Sequence, residues 1–219
     1  MSLQLFGHPF SSYTMKALIA LYENGTPFDF RILDADHPEN GAELARRWPI
    51  ARFPLLVDGG TTVFETSAII EHLAAFYPGP VRLIPPDAKD AVAVRMLDRV
   101  FDSHVMGPMQ VIVLDARRPE DARDPYGVAQ AQSALDTIYG WLDHVLAGRE
   151  WAAGGAFTLA DAAAAPALFY ADWAHPIGDD RTTLKAYRAR LLARSSFARC
   201  IEEARPYRRF FPLGAPDRD

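Results

Sequence analysis

The chain has 219 residues, of which 49% are hydrophobic and 23% charged, a composition typical of a globular protein with a substantial core. Its net charge of −5 argues against a nucleic-acid partner, and no stretch reaches the roughly 18 apolar residues of a membrane span, so no membrane partner is expected. Because the N-terminus has no secretory signal pattern and the single cysteine, Cys200, permits no internal disulfide, we expect a cytoplasmic protein.

The first predicted elements are a short strand and a helix joined by a tight turn. Leu3 and Leu5 suit a buried strand that ends near Gly7. Apolar residues then recur with the spacing of one helical face, at Met15, Leu18, Ile19 and Tyr22. Gly25 is expected to end this helix.

The turn before this helix carries two serines, Ser11 and Ser12. The first N–H groups of a helix have no intrahelical partner, and with the helix dipole they attract an anion. Two interpretations remain open at this point. The serines either cap the helix, as serine often does, or they belong to an anion-binding site.

A second strand is predicted from Phe28 to Leu33, where apolar and polar residues alternate. A helical crossover joins it to the first strand, so the two should be parallel. The following segment is polar and interrupted by Pro38, and a short helix is expected from Ala42 to Trp48.

A hairpin follows, with a strand from Leu55 to Val57, a turn at Gly59–Gly60 and a return strand from Thr62 to Phe64. Pro54 stands at the start of the first of these strands, where a proline is tolerated. Most X-Pro bonds are trans. If the bond before Pro54 is cis, the main chain of Phe53 faces outward and an extended peptide could pair with it.

The next helix begins at Glu65 or Thr66, with Ile69, Leu73 and Phe76 on its expected apolar face. These first two residues either cap the helix or form a clamp. In a clamp, the hydroxyl and N–H of Thr66 would bind a carboxylate, and Glu65 would bind an ammonium group.

From Tyr77 to Pro86 the chain is rich in proline and is read as a linker, after which only helices are predicted. The first helix, from Asp87 to Val105, should kink or end at Gly107–Pro108. Another should begin at Pro125 and close at Gly148.

Thr158 and Asp161 have the spacing of a capping box, which we interpret as a structural feature of a later helix. Two more helices and an aromatic tail follow. The tail contains Tyr207, Phe210 and Phe211, and we expect it to pack back on the body of the protein.

Four segments carry a family resemblance in the same order along the chain: FSSYTMKALIALYENGTPF, RFPLLVD, ETSAIIEHL and FTLADAAAAPAL. On these motifs the chain resembles the glutathione S-transferases, with a serine-type active site of bacterial type. The resemblance implies an α/β thioredoxin-like N-terminal domain, here residues 1–77, and an all-α helical C-terminal domain, residues 87–219. It also implies a homodimer.

The resemblance implies roles for individual residues. Ser11 matches the serine that activates the glutathione thiol, with Ser12 as its neighbour, and Lys16 matches a basic residue of the same motif. Tyr13 stands where the serine-type subgroup has a cysteine, which makes it a rival hydroxyl and argues against maleylacetoacetate-type isomerisation. Cys200 lies in a late helix, so it is not the nucleophile of this turn.

The remaining glutathione contacts come from the proline strand and the third helix. Phe53–Pro54 matches the pair whose backbone holds the tripeptide, with Arg52 beside it. Glu65–Thr66 matches the pair that binds its γ-glutamyl end. The electrophile pocket is expected to draw on residues of the helical domain, namely His104, Met106, Met109, Gln110, Tyr170 and Trp173.

The predicted function is therefore a glutathione S-transferase, a detoxification enzyme that uses glutathione as co-substrate and attacks a small hydrophobic electrophile. The alternative is a non-catalytic binding or regulatory protein of the same fold, similar to the starvation proteins that bind RNA polymerase. No metal site is predicted, since the six histidines show no HExxH or paired-ligand spacing.

Overall fold

A computed structural model describes residues 3–219 as a four-stranded sheet with flanking helices, followed by a helical domain. The first part contains β1 (Leu3–Gly7), α1 (Ser12–Glu23), β2 (Phe28–Ile32), α2 (Pro38–Arg47), β3 (Leu55–Asp58), β4 (Thr61–Phe64) and α3 (Thr66–Phe76). The second part contains α4 (Ala88–Val100), α5 (Gly107–Asp115), α6 (Pro125–Val145), α7 (Leu159–Ala174), α8 (Thr182–Leu192) and α9 (Ser195–Ala204).

The sheet has the strand order β2-β1-β3-β4. β1 and β2 are parallel, as predicted from the helical crossover, whereas β3 runs antiparallel to both β1 and β4. This mixed order, with one face of the sheet against α1 and α3, is the thioredoxin-like arrangement that the resemblance implies.

Helix α1 is the element around which the two parts are packed. It contacts α3 on the sheet side and α7 and α9 of the helical domain. A helix with neighbours on several sides has no solvated face, so residues 14–21 are all buried, including Leu18 and Ile19. The core therefore runs continuously from the sheet through α1 into α7.

Two helix predictions at a proline need correction. Pro38 does not interrupt a polar loop but occupies the first turn of α2, where its missing N–H has no intrahelical partner to lose. Gly107–Pro108 does not end the run of helix, although the type of helix changes directly before it. A π-helical turn at Phe101–Met106 links α4 to α5, and the Gly107 N–H donates to the carbonyl of Asp102.

One residue of the predicted apolar face of α3 is also placed differently. Ile69 and Leu73 are buried, but Phe76 is 68% exposed, and Ile70 is buried instead. The segment 77–87, which the structure describes throughout, contains no helix or strand. The domain limits of 1–77 and 87–219 remain a prediction.

The capping box at the start of α7 is confirmed. The Thr158 N–H donates to Asp161 Oδ2 at 2.9 Å, while the Ala152 N–H and the Tyr187 hydroxyl donate to Oδ1 at 2.8 and 2.7 Å. Burial raises the pKa of the Asp161 carboxyl. This one side chain therefore joins the start of α7 to the preceding loop and to α8.

The C-terminal tail returns to the body of the protein, as predicted, for part of its length. Phe211 is buried against Tyr170 and Trp173, whereas Phe210 is exposed. Among residues 3–219, no helix combines the length and apolar composition needed to cross a bilayer.

Candidate active site

An open cleft of about 1410 Å³ lies between the sheet domain and the helical domain. Every residue that the sequence assigned to glutathione lines it. These residues are Ser11, Ser12, Arg52, Phe53, Pro54, Glu65 and Thr66, and the rival hydroxyl of Tyr13 lines it as well. The structure thus brings together three segments that are up to 55 residues apart in the chain.

Ser11 stands at the N-cap of α1. Its backbone is extended, and its Oγ accepts a hydrogen bond from the Thr14 N–H at 3.3 Å. Ser11 therefore caps α1, as the first interpretation predicts. A hydroxyl that accepts one hydrogen bond still has its own proton to donate. Capping therefore leaves Ser11 able to donate into the cleft.

Two further groups at this turn have pKa values shifted by burial. Burial, with a smaller effect of Asp102, raises the pKa of Tyr13 to about 12, so its phenol remains a donor at neutral pH. Burial lowers the pKa of His8. The Phe10 N–H donates to His8 Nδ1 at 3.1 Å, so the neutral ring carries its proton on Nε2.

The main chain at Phe53 is free of the sheet. The Phe53–Pro54 peptide bond is cis, and Pro54 is buried while Phe53 and Arg52 are exposed. The pairing of β3 with its neighbours begins only at Leu55. The N–H and C=O of Phe53 are thus placed to pair with an extended peptide in the cleft.

Glu65 caps α3 in an unusual backbone conformation, with φ at 66° and ψ at 115°. A side-chain-bearing residue with positive φ is strained, typically by about 1–3 kcal/mol, and such residues concentrate at functional sites. Its exposed carboxylate makes no capping bond within the described chain, so it stays available. Thr66, beside it, is buried in the first turn of α3.

A buried ion cluster supports one side of the cleft. Lys16 is 1% exposed, and its Nζ lies 2.5 Å from Asp98 Oδ1 and 2.7 Å from Asp102 Oδ2. It also donates to Ser67 Oγ at 3.1 Å. Arg99 pairs with both carboxylates from the solvent side. Burial nevertheless raises the pKa of Asp102, which lines the cleft.

The sequence did not predict this cluster. It identified Lys16 only as the basic residue of a motif, because a lysine next to apolar positions usually extends to solvent. The available signal was its place among eight successive residues with little polar character, which favours a helix buried on all sides.

The helical wall of the cleft contains half of the residues expected there. Met109, Gln110 and Tyr170 line it. The predictions for the other three were wrong, since Met106 is buried in the core, His104 is exposed outside the cleft, and Trp173 packs behind Phe211. The cleft is also lined by residues that were not predicted. Phe10 comes from the turn between β1 and α1, and the helical domain and its tail contribute Val113, Leu114, Arg117, Phe210, Phe211 and Pro212.

A thioredoxin-like domain whose helix N-termini face a cleft closed by a helical domain defines the class of two-domain, glutathione-transferase-like proteins. Comparison with known families agrees with this assignment. The N-terminal domain of glutathione S-transferases matches residues 1–75, and the C-terminal domain of the same family matches residues 125–190. The chain belongs to the glutathione S-transferase family, which confirms the resemblance.

Individual relatives share about a quarter of their residues with this chain. Glutathione S-transferase F7 of Arabidopsis thaliana is 26% identical over 202 residues, covering 89% of this chain and 96% of its own. A glutathione S-transferase of Methylobacterium radiotolerans, solved with glutathione sulfonate, is 27% identical with a TM-score of 0.78, covering 92% and 95%. A stringent starvation protein A homolog of Coxiella burnetii is 26% identical, covering 75% and 74%.

Proposed function

We propose that this protein is a cytoplasmic glutathione transferase that activates the glutathione thiol for attack on a hydrophobic electrophile. The observation that carries the proposal is the convergence of three groups in one cleft. They are the Ser11 hydroxyl at the start of α1, the unpaired main chain of Phe53, and Glu65 with Thr66 at the start of α3. A binding scaffold without chemistry has no need of all three.

Glutathione would lie across these groups as an extended peptide. Glu65 would bind its ammonium group, and the hydroxyl and free N–H groups at the start of α3 would bind the adjacent carboxylate. The cysteinyl residue would pair with the main chain of Phe53. Arg52, exposed beside Phe53, would bind the glycyl carboxylate.

The thiol would then lie at the N-terminus of α1. A free thiol has a pKa near 8.5, so little thiolate forms at neutral pH. Hydrogen bonds from Ser11 to the sulfur, together with the helix dipole, favour the anion and lower this pKa. A shift of two units corresponds to about 2.7 kcal/mol. Ser11 keeps its proton throughout, because it acts as a donor.

The helical wall would receive the electrophile. Phe10, Met109 and Val113 offer it an apolar surface next to the thiol. Tyr170 donates its hydroxyl to the Phe10 carbonyl at 2.9 Å, so its ring is fixed as part of this wall. Such a wall orients an apolar molecule and limits the access of water to the thiolate.

The test is the bound thiol pKa in Ser11→Ala, followed by the ultraviolet absorbance of the thiolate. We expect nearly unchanged glutathione affinity by calorimetry, a raised thiol pKa and a loss of turnover of about 10²-fold, as for other anion-stabilising donors. Because the thiol then ionises at higher pH, the rise of kcat/KM with pH shifts upward as well.

Ser12→Ala and Tyr13→Phe serve as matched controls at the same turn. If one of them raises the thiol pKa and Ser11→Ala does not, the donor is that neighbour. If glutathione does not bind the wild-type protein at millimolar concentration, the enzyme proposal is wrong and the protein is a scaffold of the same fold.

A further inference from the structure

The charges that line the cleft are unusual for so acidic a chain. Three arginines, Arg52, Arg99 and Arg117, face two carboxylates, Glu65 and Asp102. Three cations and two anions leave one positive charge, whereas the chain as a whole carries −5. A cleft that differs in sign from its protein attracts anions.

Two of the three arginines are already accounted for. Arg99 pairs with Asp98 at 3.2 Å and also with Asp102, so its charge belongs to the buried ion cluster. Arg52 adjoins Phe53, on the wall proposed for glutathione. Arg117 lies on the opposite, helical wall, and within residues 3–219 its side chain makes no ion pair or hydrogen bond.

The position of Arg117 follows from the helix that leads to it. Residues 109, 110, 113 and 114 share one face of α5, and this face lines the cleft. The chain then turns tightly, with the Arg117 N–H donating to the Leu114 carbonyl at 3.2 Å.

A structural role for this arginine is already filled by its neighbour. A cation near the C-terminus of a helix is favoured by the helix dipole wherever it points. Arg118 occupies the same helix end, lies outside the cleft, and contacts Asp115 at 3.5 Å. Arg117 instead lies at the C-terminal end of the cleft-lining face that Met109, Gln110, Val113 and Leu114 form. Its guanidinium carries the positive charge among these five residues.

We propose that the preferred electrophile is an elongated apolar molecule that carries a carboxylate at the end remote from its reactive carbon, and that Arg117 binds this carboxylate. The inference rests on the proposed transferase function and specifies its substrate class. A planar guanidinium matches a carboxylate with two parallel hydrogen bonds. The apolar face of α5 then covers the body of the molecule between the carboxylate and the thiol.

The test compares one electrophile in a charged and an uncharged form. Ethacrynic acid is an aryl enone with a carboxylate at its far end, and its methyl ester lacks the charge. In both, the thiolate forms a C–S bond at the terminal alkene carbon, the C=C π electrons move to the enolate, and water returns a proton to carbon. The reaction needs no oxidant or reductant.

We expect the wild-type KM for the acid to be about 1.5- to 5-fold below that for the ester, the range of an exposed ion pair. Arg117→Gln should remove this preference by raising the KM for the acid to that for the ester. Arg117→Glu should invert it, which loss of packing alone would not do. Arg118→Gln should behave as wild type. Raising the salt to about 0.5 M should reduce the wild-type preference, since exposed charges are screened.

The outcomes separate this inference from the proposal on which it rests. If wild type and Arg117→Gln use acid and ester equally well, the anionic substrate class is wrong while the transferase function stands. The same holds if only the neutral reference 1-chloro-2,4-dinitrobenzene reacts. If none of the three electrophiles reacts, the transferase proposal itself fails.

Discussion

Lys16 shows how a single residue connects the two domains. It lies on α1, inside the sheet domain, and its ammonium group is held by Asp98 of α4 and Asp102 of the following π-helical turn. Ser67 of α3 completes the cluster by donating to Asp98 Oδ2 at 2.8 Å. A buried cation with three partners fixes the helical domain against the two helices whose first turns line the cleft.

The first prediction at this scale is that Lys16→Met destabilises the protein strongly. Removing the buried cation leaves Asp98 and Asp102 with Arg99 as their one remaining cation, on the solvent side. Breaking a buried ion pair in this way typically costs about 3–5 kcal/mol. The free energy of unfolding in urea is the measurement. Lys89→Met, on the exposed first turn of α4, is the matched control and should change stability little. A loss below about 1 kcal/mol for Lys16→Met would contradict a structural role for the cluster.

The sequence predicts the role of a residue well when that role depends on where the residue stands relative to a helix start. Ser11 and Glu65 stand immediately before helices, so a capping residue and a free helix N-terminus can be read from the pattern alone. Lys16 acts through Asp98 and Asp102, which lie more than 80 residues away in sequence. The apolar residues around Lys16 indicate burial, but its partners appear only in the folded structure, as does the place of Arg117 in the cleft.

At the scale of elements, the turn between β1 and α1 depends on His8. Its Nδ1 accepts the Phe10 N–H, its ring edge contacts Tyr207, and its pKa is lowered by burial. The unfolded chain therefore binds a proton more readily than the folded one. The contribution of neutral His8 to the free energy of unfolding is fully present above the ordinary histidine pKa of 6.5. It is lost as the pH falls through the lower pKa that His8 has in the folded protein.

We therefore predict that His8→Asn makes stability less dependent on pH between about 7 and 5. The Asn side chain can still accept the N–H two residues on, as in an Asx turn, but it does not titrate. Unfolding in urea at several pH values measures the slope. His104→Asn, at an exposed position outside the cleft, should keep the wild-type slope. An unchanged slope in His8→Asn would mean that other groups set the acid sensitivity.

Element boundaries were predicted well where periodicity is strong and poorly at Gly–Pro pairs. The strands β3 and β4 and the long helix α6 follow directly from alternation, a glycine turn and a first-turn proline. At Gly107–Pro108, a proline reads as a helix breaker. The π-helical turn before it changes the hydrogen-bond register. Met106, the last residue of this turn, is buried in the core.

For the molecule as a whole, the order of motifs was sufficient to predict both domains, because each motif sets the start of one element. The single chain, however, exposes large apolar side chains on two neighbouring helices. Phe76 on α3, and Val92 and Met96 on α4, are 68%, 64% and 56% exposed. Arg95 of α4 pairs with Glu71 of α3 at 2.5 Å, so the two helices present one surface. Large apolar side chains exposed on one surface of a protein can mark an interface.

We predict that this α3–α4 surface is buried in a homodimer. Sedimentation at micromolar concentration should give about twice the chain mass of 24.3 kDa. In Met96→Glu, two-fold symmetry would place each new carboxylate in the apolar contact. The dissociation constant of the dimer should therefore rise by at least about 10-fold, or 1.4 kcal/mol. Leu213→Glu, which adds the same charge at a 43% exposed leucine of the tail, should leave the mass unchanged. A wild-type monomer at these concentrations would contradict the homodimer.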